Sequence, residues 1–332
     1  MEKPVKIVQT IFENAKKLQR TIVLPEGDDV RTLQAARMAA DAKIAKVLVV
    51  DVDGKTLGLA KDNKISLDGI EVMEPKEYKD IDTFAQFLYE RRKAKGMTQD
   101  EAAKLARDPV FFGDLLVGTG KADGCVAGAL HATGDIVRAA LYCIGAKEGT
   151  VSSYFLMLIP NFREGEDYTP LIFSDCAVIP FPTVEQLAAI ASASAETYRK
   201  LVGGEPRVAM LSYSTKGSAK HENLDKVIQA TELVKKRYPN LKVDGEFQLD
   251  AAVIPSIGQR KAPKSDIAGQ ANTLIFPDLN SGNICYKAVE RFARALALGP
   301  VLQGLNKPAN DLSRGCSAED IYKVIAMTAV SA

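Results

Sequence analysis

The 332-residue chain reads as an α/β protein made of two α/β domains. Three observations predict this. Over residues 1–146, apolar runs of strand length alternate with segments of helical spacing, the pattern of a three-layer, mostly parallel sheet protein. Near Lys147-Glu148-Gly149 the pattern changes, and two long apolar runs follow one another across a polar loop. A chain of 332 residues is also too long for one ordinary core.

The first helix spans Val5–Leu18, with Ile7, Ile11, Phe12, Ala15 and Leu18 at helical spacing. Thr21-Ile22-Val23-Leu24-Pro25 is a buried strand by its apolar run. Glu26-Gly27-Asp28-Asp29 leads into a helix over Val30–Ala42. Arg31 lies on its first turn, where a cation opposes the helix dipole, so it should face an anion or an acidic neighbour. Lys46–Val50 and Ile70–Met73 are further strands. Ile81–Lys95 is a helix with Arg91, Arg92, Lys93 and Lys95 at its end and Gly96 just beyond, as the dipole and C-cap geometry favour. Arg92 and its neighbours are then either a solvated basic helix end or a docking point for phosphate. Thr98-Gln99-Asp100-Glu101 opens another helix. Ala122–Ala129 is strand then turn, and His131-Ala132-Thr133-Gly134-Asp135 caps a helix carrying Arg138. A glycine-containing loop between strand and helix is a generic phosphate cradle. Neither G-x-G-x-x-G nor the P-loop pattern is present.

Beyond residue 147, Val151–Pro160 and Pro170–Ile179 read as an antiparallel pair joined by Asn161–Asp167. A long helix over Thr183–Leu201 follows, then strand Arg207–Leu211 and a segment dense in hydroxyls, Ser212-Tyr213-Ser214-Thr215-Lys216-Gly217-Ser218-Ala219. That segment is either a capping turn or a ligand loop at the C-terminal end of a strand. Helix Leu224–Arg237, strand Val243–Glu246, helical turn Asp250–Ile257 and strand Thr273–Phe276 come next. Polar loop Pro277–Asn283 then precedes a helix over Ile284–Leu298.

Composition narrows the function. A net charge of +1 gives no global field toward nucleic acid or an anionic membrane. The apolar runs are strand-sized, so no membrane span is expected. Met1-Glu2-Lys3-Pro4 carries no apolar signal region. Cys125, Cys143, Cys176, Cys285 and Cys316 are scattered and odd in number, which supports neither a disulfide framework nor a zinc site. A reducing cytoplasm is the simplest compartment. With only His131 and His221, little room is left for histidine-based metal or acid–base chemistry.

The densest stretch is Asn310-Asp311-Leu312-Ser313-Arg314-Gly315-Cys316-Ser317-Ala318-Glu319-Asp320. It lies between the apolar run Gly299–Leu305, read as a short buried strand, and a helix over Ile321–Met327. Ser317 and Asp320 fit a capping box, and Gly315 would permit a positive φ. Arg314 beside a helix N-terminus adds a bidentate fork suited to phosphate or carboxylate, so the stretch is either a cap or an anion site. By its position at a helix N-terminus beside Arg314, the Cys316 thiol should have a lowered pKa.

Three segments together carry a resemblance: Ser212–Ala219, Phe276-Pro277-Asp278-Leu279-Asn280-Ser281-Gly282-Asn283, and Asn310–Ser317. They resemble the signatures of the phosphate acetyltransferase (phosphate acetyl/butyryltransferase) family. The likeness runs from Leu24-Pro25-Glu26 and Arg31-Thr32-Leu33-Gln34 to the C-terminus. It implies reversible acetyl transfer between CoA and phosphate, an isocitrate/isopropylmalate dehydrogenase-like pair of α/β domains with an interdomain cleft, and a homodimer. It implies a first domain of residues 1–146 plus 299–332 and a second of 147–298. Ser313, Arg314 and Asp320 fall on the family's catalytic positions. Arg92 and Arg138 fall on positions tied to CoA or catalysis, and Arg31 on a further family arginine. Ser214, Lys216 and Cys316 are the remaining candidates for contact with CoA or phosphate. Direct attack by the CoA thiolate, with Asp320 as base, needs no metal or other cofactor and no protein acyl intermediate. Small molecules are the expected partners. Phosphate butyryltransferase and a non-catalytic acetyl-CoA sensor are the alternatives.

Overall fold

The computed structural model describes residues 5–332. Met1-Glu2-Lys3-Pro4, read above as lacking a signal region, lie outside the described residues. The strands are β1 (Thr21–Leu24), β2 (Lys46–Val50), β3 (Glu71–Met73), β4 (Gly124–Ala127), β5 (Ser152–Pro160), β6 (Tyr168–Ser174), β7 (Val208–Leu211), β8 (Val243–Phe247), β9 (Thr273–Ile275), β10 (Leu296–Gln303) and β11 (Ala309–Asp311). They form two sheets in two compact units, one reaching Lys147 and resuming at Leu305–Ala332, the other Glu148–Gly304.

In the first unit the order is β11-β4-β1-β2-β3, and every pairing is parallel. Parallel strands are covered on both faces, which suits their unbroken apolar runs. Ile22, Val23 and Leu24 are fully buried, each worth roughly 1.5–3 kcal/mol. From β1 the chain proceeds to β2 and β3 on one side, whereas β4 and β11 lie on the other. The order therefore reverses between β1 and β4, and the C-terminal ends of strands at such a reversal are where open α/β sheets bind ligands. The N-terminal turns of the helices Val30–Asp41 and Ala318–Ser331 are closed by Asp29 and by a Ser317/Asp320 capping box.

The second unit has the order β10-β5-β6-β9-β7-β8, antiparallel among β10, β5 and β6 and parallel from β6 onward. Its core includes Phe155, Met157, Phe173, Phe247 and Phe276. After β6, Asp175 is buried and gathers the chain around its carboxylate. It accepts from the backbone N–H of Ser153, Ala177, Val178 and Ile179 at 2.8–3.2 Å and also bonds the Ser153 hydroxyl.

The structure revises three expectations. The helix read over Ile284–Leu298 spans Leu279–Phe292, and Leu296–Leu298 begin β10 instead. β10 pairs with β5 as far as Gln303, so residues 299–304 belong to the second unit, and the chain returns at Leu305 rather than at 299. The strand leading into Ser313 is accordingly β11, not Gly299–Leu305.

Asp175→Ala would leave four backbone N–H groups without their acceptor. We expect a loss of at least about 3 kcal/mol of stability, read by urea unfolding. A loss under about 1 kcal/mol would show that water replaces the carboxylate.

Candidate active site

The site residues of the first unit gather at the C-terminal ends of β1, β4 and β11. Its centre is Glu26, just past β1 and 1% exposed. Its carboxylate accepts from four successive backbone N–H groups, those of Gly128, Ala129, Leu130 and His131, at 2.7–3.1 Å. His131 Nδ1 adds a fifth contact at 2.7 Å. The glycine-containing loop after β4 is indeed an anion cradle, but the chain's own Glu26 fills it. Burial alone would raise the Glu26 pKa; the His131 bond and the backbone bonds outweigh it and hold the carboxylate below its usual range. The bond to Glu26 lifts His131 above the usual imidazole range.

Arg31 joins this loop to the Ser313 loop. Its Nε and Nη2 hold Asp29 at 2.6–3.2 Å, Nη2 also donates to Ala129 O at 3.0 Å, and Nη1 donates to Arg314 O and Cys316 O, both at 2.8 Å. All five of its N–H donors therefore have protein partners. The acidic neighbour foreseen for Arg31 is Asp29. Arg31 shapes the Ser313 loop, and its guanidinium has no donor left for a ligand phosphate.

Asp311, at the end of β11, is 4% exposed. Its Oδ2 accepts from Thr133 Oγ1 at 2.6 Å, and its buried Oδ1 has no partner. Gly128 has φ +110°, and a Cβ there would come within 2.4 Å of that Oδ1, so only glycine fits. Burial, with Glu26 adding its charge, pushes the Asp311 carboxyl up to about 6.

Ser313 and Arg314 project as exposed residues, and the Arg314 guanidinium has no partner among the described residues. Ser317 and Asp320 form the capping box read from the sequence. Asp320 Oδ2 takes both the Ser317 N–H at 3.0 Å and the Ser317 hydroxyl at 2.8 Å. Gly315 is not among the glycines at positive φ. Cys316 is 8% exposed, and burial raises its thiol pKa despite the opposing pull of Arg31. The expectation of a lowered thiol pKa is thus overturned, because desolvation outweighs the neighbouring cation.

A separate basic cavity of about 410 Å³ brings Arg92 and Arg138 together with Lys95, Lys104 and Tyr142. Arg92 stacks on the Tyr142 ring at 3.7 Å, and its buried Nε has no partner. Lys95 belongs to the basic helix end read from the sequence, whereas Lys104 escaped that reading because its helix, Gln99–Leu105, meets Arg92 only in the folded chain.

In the second unit, Ser212 and Tyr213 line a cavity of about 460 Å³ with Phe181, Phe276 and Asp278 at the C-terminal ends of β7 and β9. Ser214 is fully buried and donates to Glu246 at 2.9 Å. Lys216 Nζ holds Asp244 and Gly245 O, both at 2.6 Å. Both side chains serve the loop's own network. No cluster of His, Cys, Asp or Glu suited to a metal occurs among the described residues. Among the same residues, no helix is long and apolar enough to cross a membrane.

The sequence profile described as phosphate acetyl/butaryl transferase matches residues 6–329. A phosphate acetyltransferase from Clostridium acetobutylicum is 46% identical over 328 residues, covering 98% of each chain. One from Bacillus subtilis is 43% identical, covering 98% of this chain and 99% of its own. A phosphotransacetylase structure from Streptococcus pyogenes superposes with a TM-score of 0.90 at 42% identity, over 98% of this chain and 97% of that one. These matches place the protein among the acyltransferases. The chain belongs to the phosphate acetyl/butaryl transferase family.

The buried carboxyl of Asp311, with its Oδ1 unpartnered, predicts a pH signature. Its folded pKa of about 6 exceeds the usual 3.8, so its contribution to stability is present in acid and is lost as pH rises through about 6. At about pH 7.5, Asp311→Asn should therefore be more stable than the parent by on the order of 1–3 kcal/mol, and the gain should vanish near pH 4. Urea melts at both pH values check this; an offset independent of pH would contradict it.

Proposed function

We propose that the chain is a phosphate acetyltransferase, catalysing acetyl-CoA + phosphate ⇌ acetyl phosphate + CoA. The observation that carries this reading is the Ser313-Arg314 loop. It presents an unpaired guanidinium and a hydroxyl at a sheet's C-terminal edge, and Arg31 fixes its backbone from behind. Family membership and the names of the relatives support the same conclusion.

In this reading the Arg314 fork binds the phosphate or the phosphoryl group of acetyl phosphate. Asp320 takes the proton of the CoA thiol, and the thiolate attacks the acyl carbon. The carbon–oxygen bond to phosphate then breaks. Ser313 donates to the negative charge that develops on the acyl oxygen. Asp320 keeps Oδ1 clear of the capping box, and bound CoA supplies the desolvation that a carboxylate needs to act on a thiol. The cavity of Arg92 and Arg138 receives the phosphates of CoA, with Lys95 and Lys104 adding charge. Ser214 and Lys216 support their loop rather than touch ligand. No metal or other cofactor enters the scheme, because CoA and acetyl-CoA are substrates. A cytoplasmic homodimer acting on small molecules completes the proposal.

Phosphate-dependent release of CoA from acetyl-CoA, with arsenate able to replace phosphate, tests the reaction. Absence of both would sink it. Parallel assays with propionyl- and butyryl-CoA fix the acyl range.

Asp320→Asn should keep the cap, since an amide oxygen can still accept, while kcat falls by ~10²–10³. Ser317→Ala should show the reverse, losing about 1 kcal/mol of stability with kcat nearly intact. If Asp320→Asn lost only stability, capping would be its sole role. Cys316→Ala should retain most of kcat, because its buried thiol is held protonated. Lost turnover with CoA binding intact would instead indicate an acetyl-cysteine route.

A further inference from the structure

Direct thiolate attack leaves a proton to be placed. Acetyl phosphate carries two negative charges near neutrality, so the departing phosphate would emerge as a strongly basic trianion. Asp320 stands on the thiol side of the reaction and removes a proton. Nothing assigned so far delivers one to the phosphate.

We infer that His131 is a further catalytic residue, the acid that protonates the leaving phosphate, with Glu26 as its positioning residue. The inference rests on the acetyl-transfer reading given above. Its warrant is geometric. Glu26 follows β1 and His131 follows β4, the two strands between which the sheet order reverses. Glu26 binds Nδ1 at 2.7 Å and so turns Nε2 away from itself. The imidazole side chain is 37% exposed, whereas that of Glu26 is 1% exposed. A buried carboxylate holding one ring nitrogen and leaving the other accessible is the arrangement that orients catalytic imidazoles. The β4 loop that carries His131 is tied to the Ser313 stretch on both sides of the histidine. Ala129 O is joined through Arg31 to the carbonyls of Arg314 and Cys316, and Thr133 donates to Asp311 at the end of β11.

As the thiolate sulfur bonds to the acyl carbon, the electron pair of the breaking C–O bond passes to the phosphate oxygen. That oxygen takes the Nε2 proton and leaves as hydrogen phosphate. In reverse, neutral His131 accepts the proton of hydrogen phosphate as its oxygen attacks acetyl-CoA, and the departing thiolate is reprotonated by Asp320. The acidic groups around the imidazole are Glu26 and Asp28 on the β1 turn and Asp108 at the start of the helix Pro109–Gly118. All three favour the imidazolium, while Arg31 is paired with Asp29. The imidazolium is therefore favoured relative to a free imidazole, and the acid is lost as pH rises through the raised His131 pKa.

The test uses the full-length enzyme and follows acetyl-CoA formation from acetyl phosphate and CoA across pH. His131→Gln should lower kcat by ~10²–10³ and remove the alkaline limb of the profile, with KM for CoA within about twofold. Glu26→Gln should move that limb to lower pH. Because Glu26→Gln also disturbs four backbone bonds, a second measurement uses the unaltered protein. With two histidines in the chain, and His221 identified by His221→Gln, NMR titration resolves His131 directly. Saturating phosphate should raise its pKa. Wild-type kcat and pH profile in His131→Gln, or a His131 titration unmoved by phosphate, overturns the inference while leaving the acetyl-transfer reading in place. A wild-type enzyme without turnover sinks that reading, and the proton role with it.

Discussion

Much of the first unit depends on one buried carboxylate. Glu26 lies 1% exposed at the end of a strand, where an ionised acid would ordinarily be costly. Four successive N–H groups and an imidazole make it affordable. The consequences spread outward. The backbone N–H groups of the β4 loop are already taken by Glu26 and are closed to a second anion. Ala129 O is held where Arg31 can reach it, and Arg31 then fixes the backbone of Arg314 and Cys316. The exposed Arg314 loop is thus backed by a chain of charge-assisted bonds to a buried acid.

The two units solve the same local problem in the same way. After β4 and after β6 the chain turns at the C-terminal end of a strand, leaving N–H groups that no strand satisfies. Glu26, from the turn after β1, collects four in the β4 loop, and Asp175 collects three after β6 together with that of Ser153 on β5. Both loops are stiffened by acids that serve structure directly, and only the first has a histidine on the same carboxylate.

The local features were legible in the sequence. The Ser317/Asp320 box, the basic helix end at Arg92, the parallel first sheet and the antiparallel β5–β6 pair all follow from patterns within a few residues. What was hidden depends on distant partners. Glu26 and His131 are 105 positions apart, and two histidines in a whole chain looked too few to matter. Leu296-Ala297-Leu298 favour a helix by composition, but pairing with β5 makes them a strand. β11 was missed because three residues give no periodicity, and its apolar neighbour Gly299–Leu305 drew the assignment. The Cys316 thiol was misjudged by weighing the nearby cation without its burial, which only the fold reveals. The five engaged donors of Arg31 were equally invisible, since three of its acceptors are backbone carbonyls far along the chain.

The return of the chain at Leu305 has a consequence for folding. β11 is an edge strand of the first sheet, yet it pairs with β4 only after the whole second unit has intervened. The second unit is a continuous segment and can form from its own contacts. The first must bring Ala309–Asp311 and the helix Ala318–Ser331 back across a long loop, whose closure entropy slows the step. Until they arrive, Asp311 has no Thr133 and Arg31 lacks two of its carbonyls. The Ser313 loop is therefore assembled late, and a partly folded chain carries the basic cavity of Arg92 before it carries the ordered backbone of Arg314.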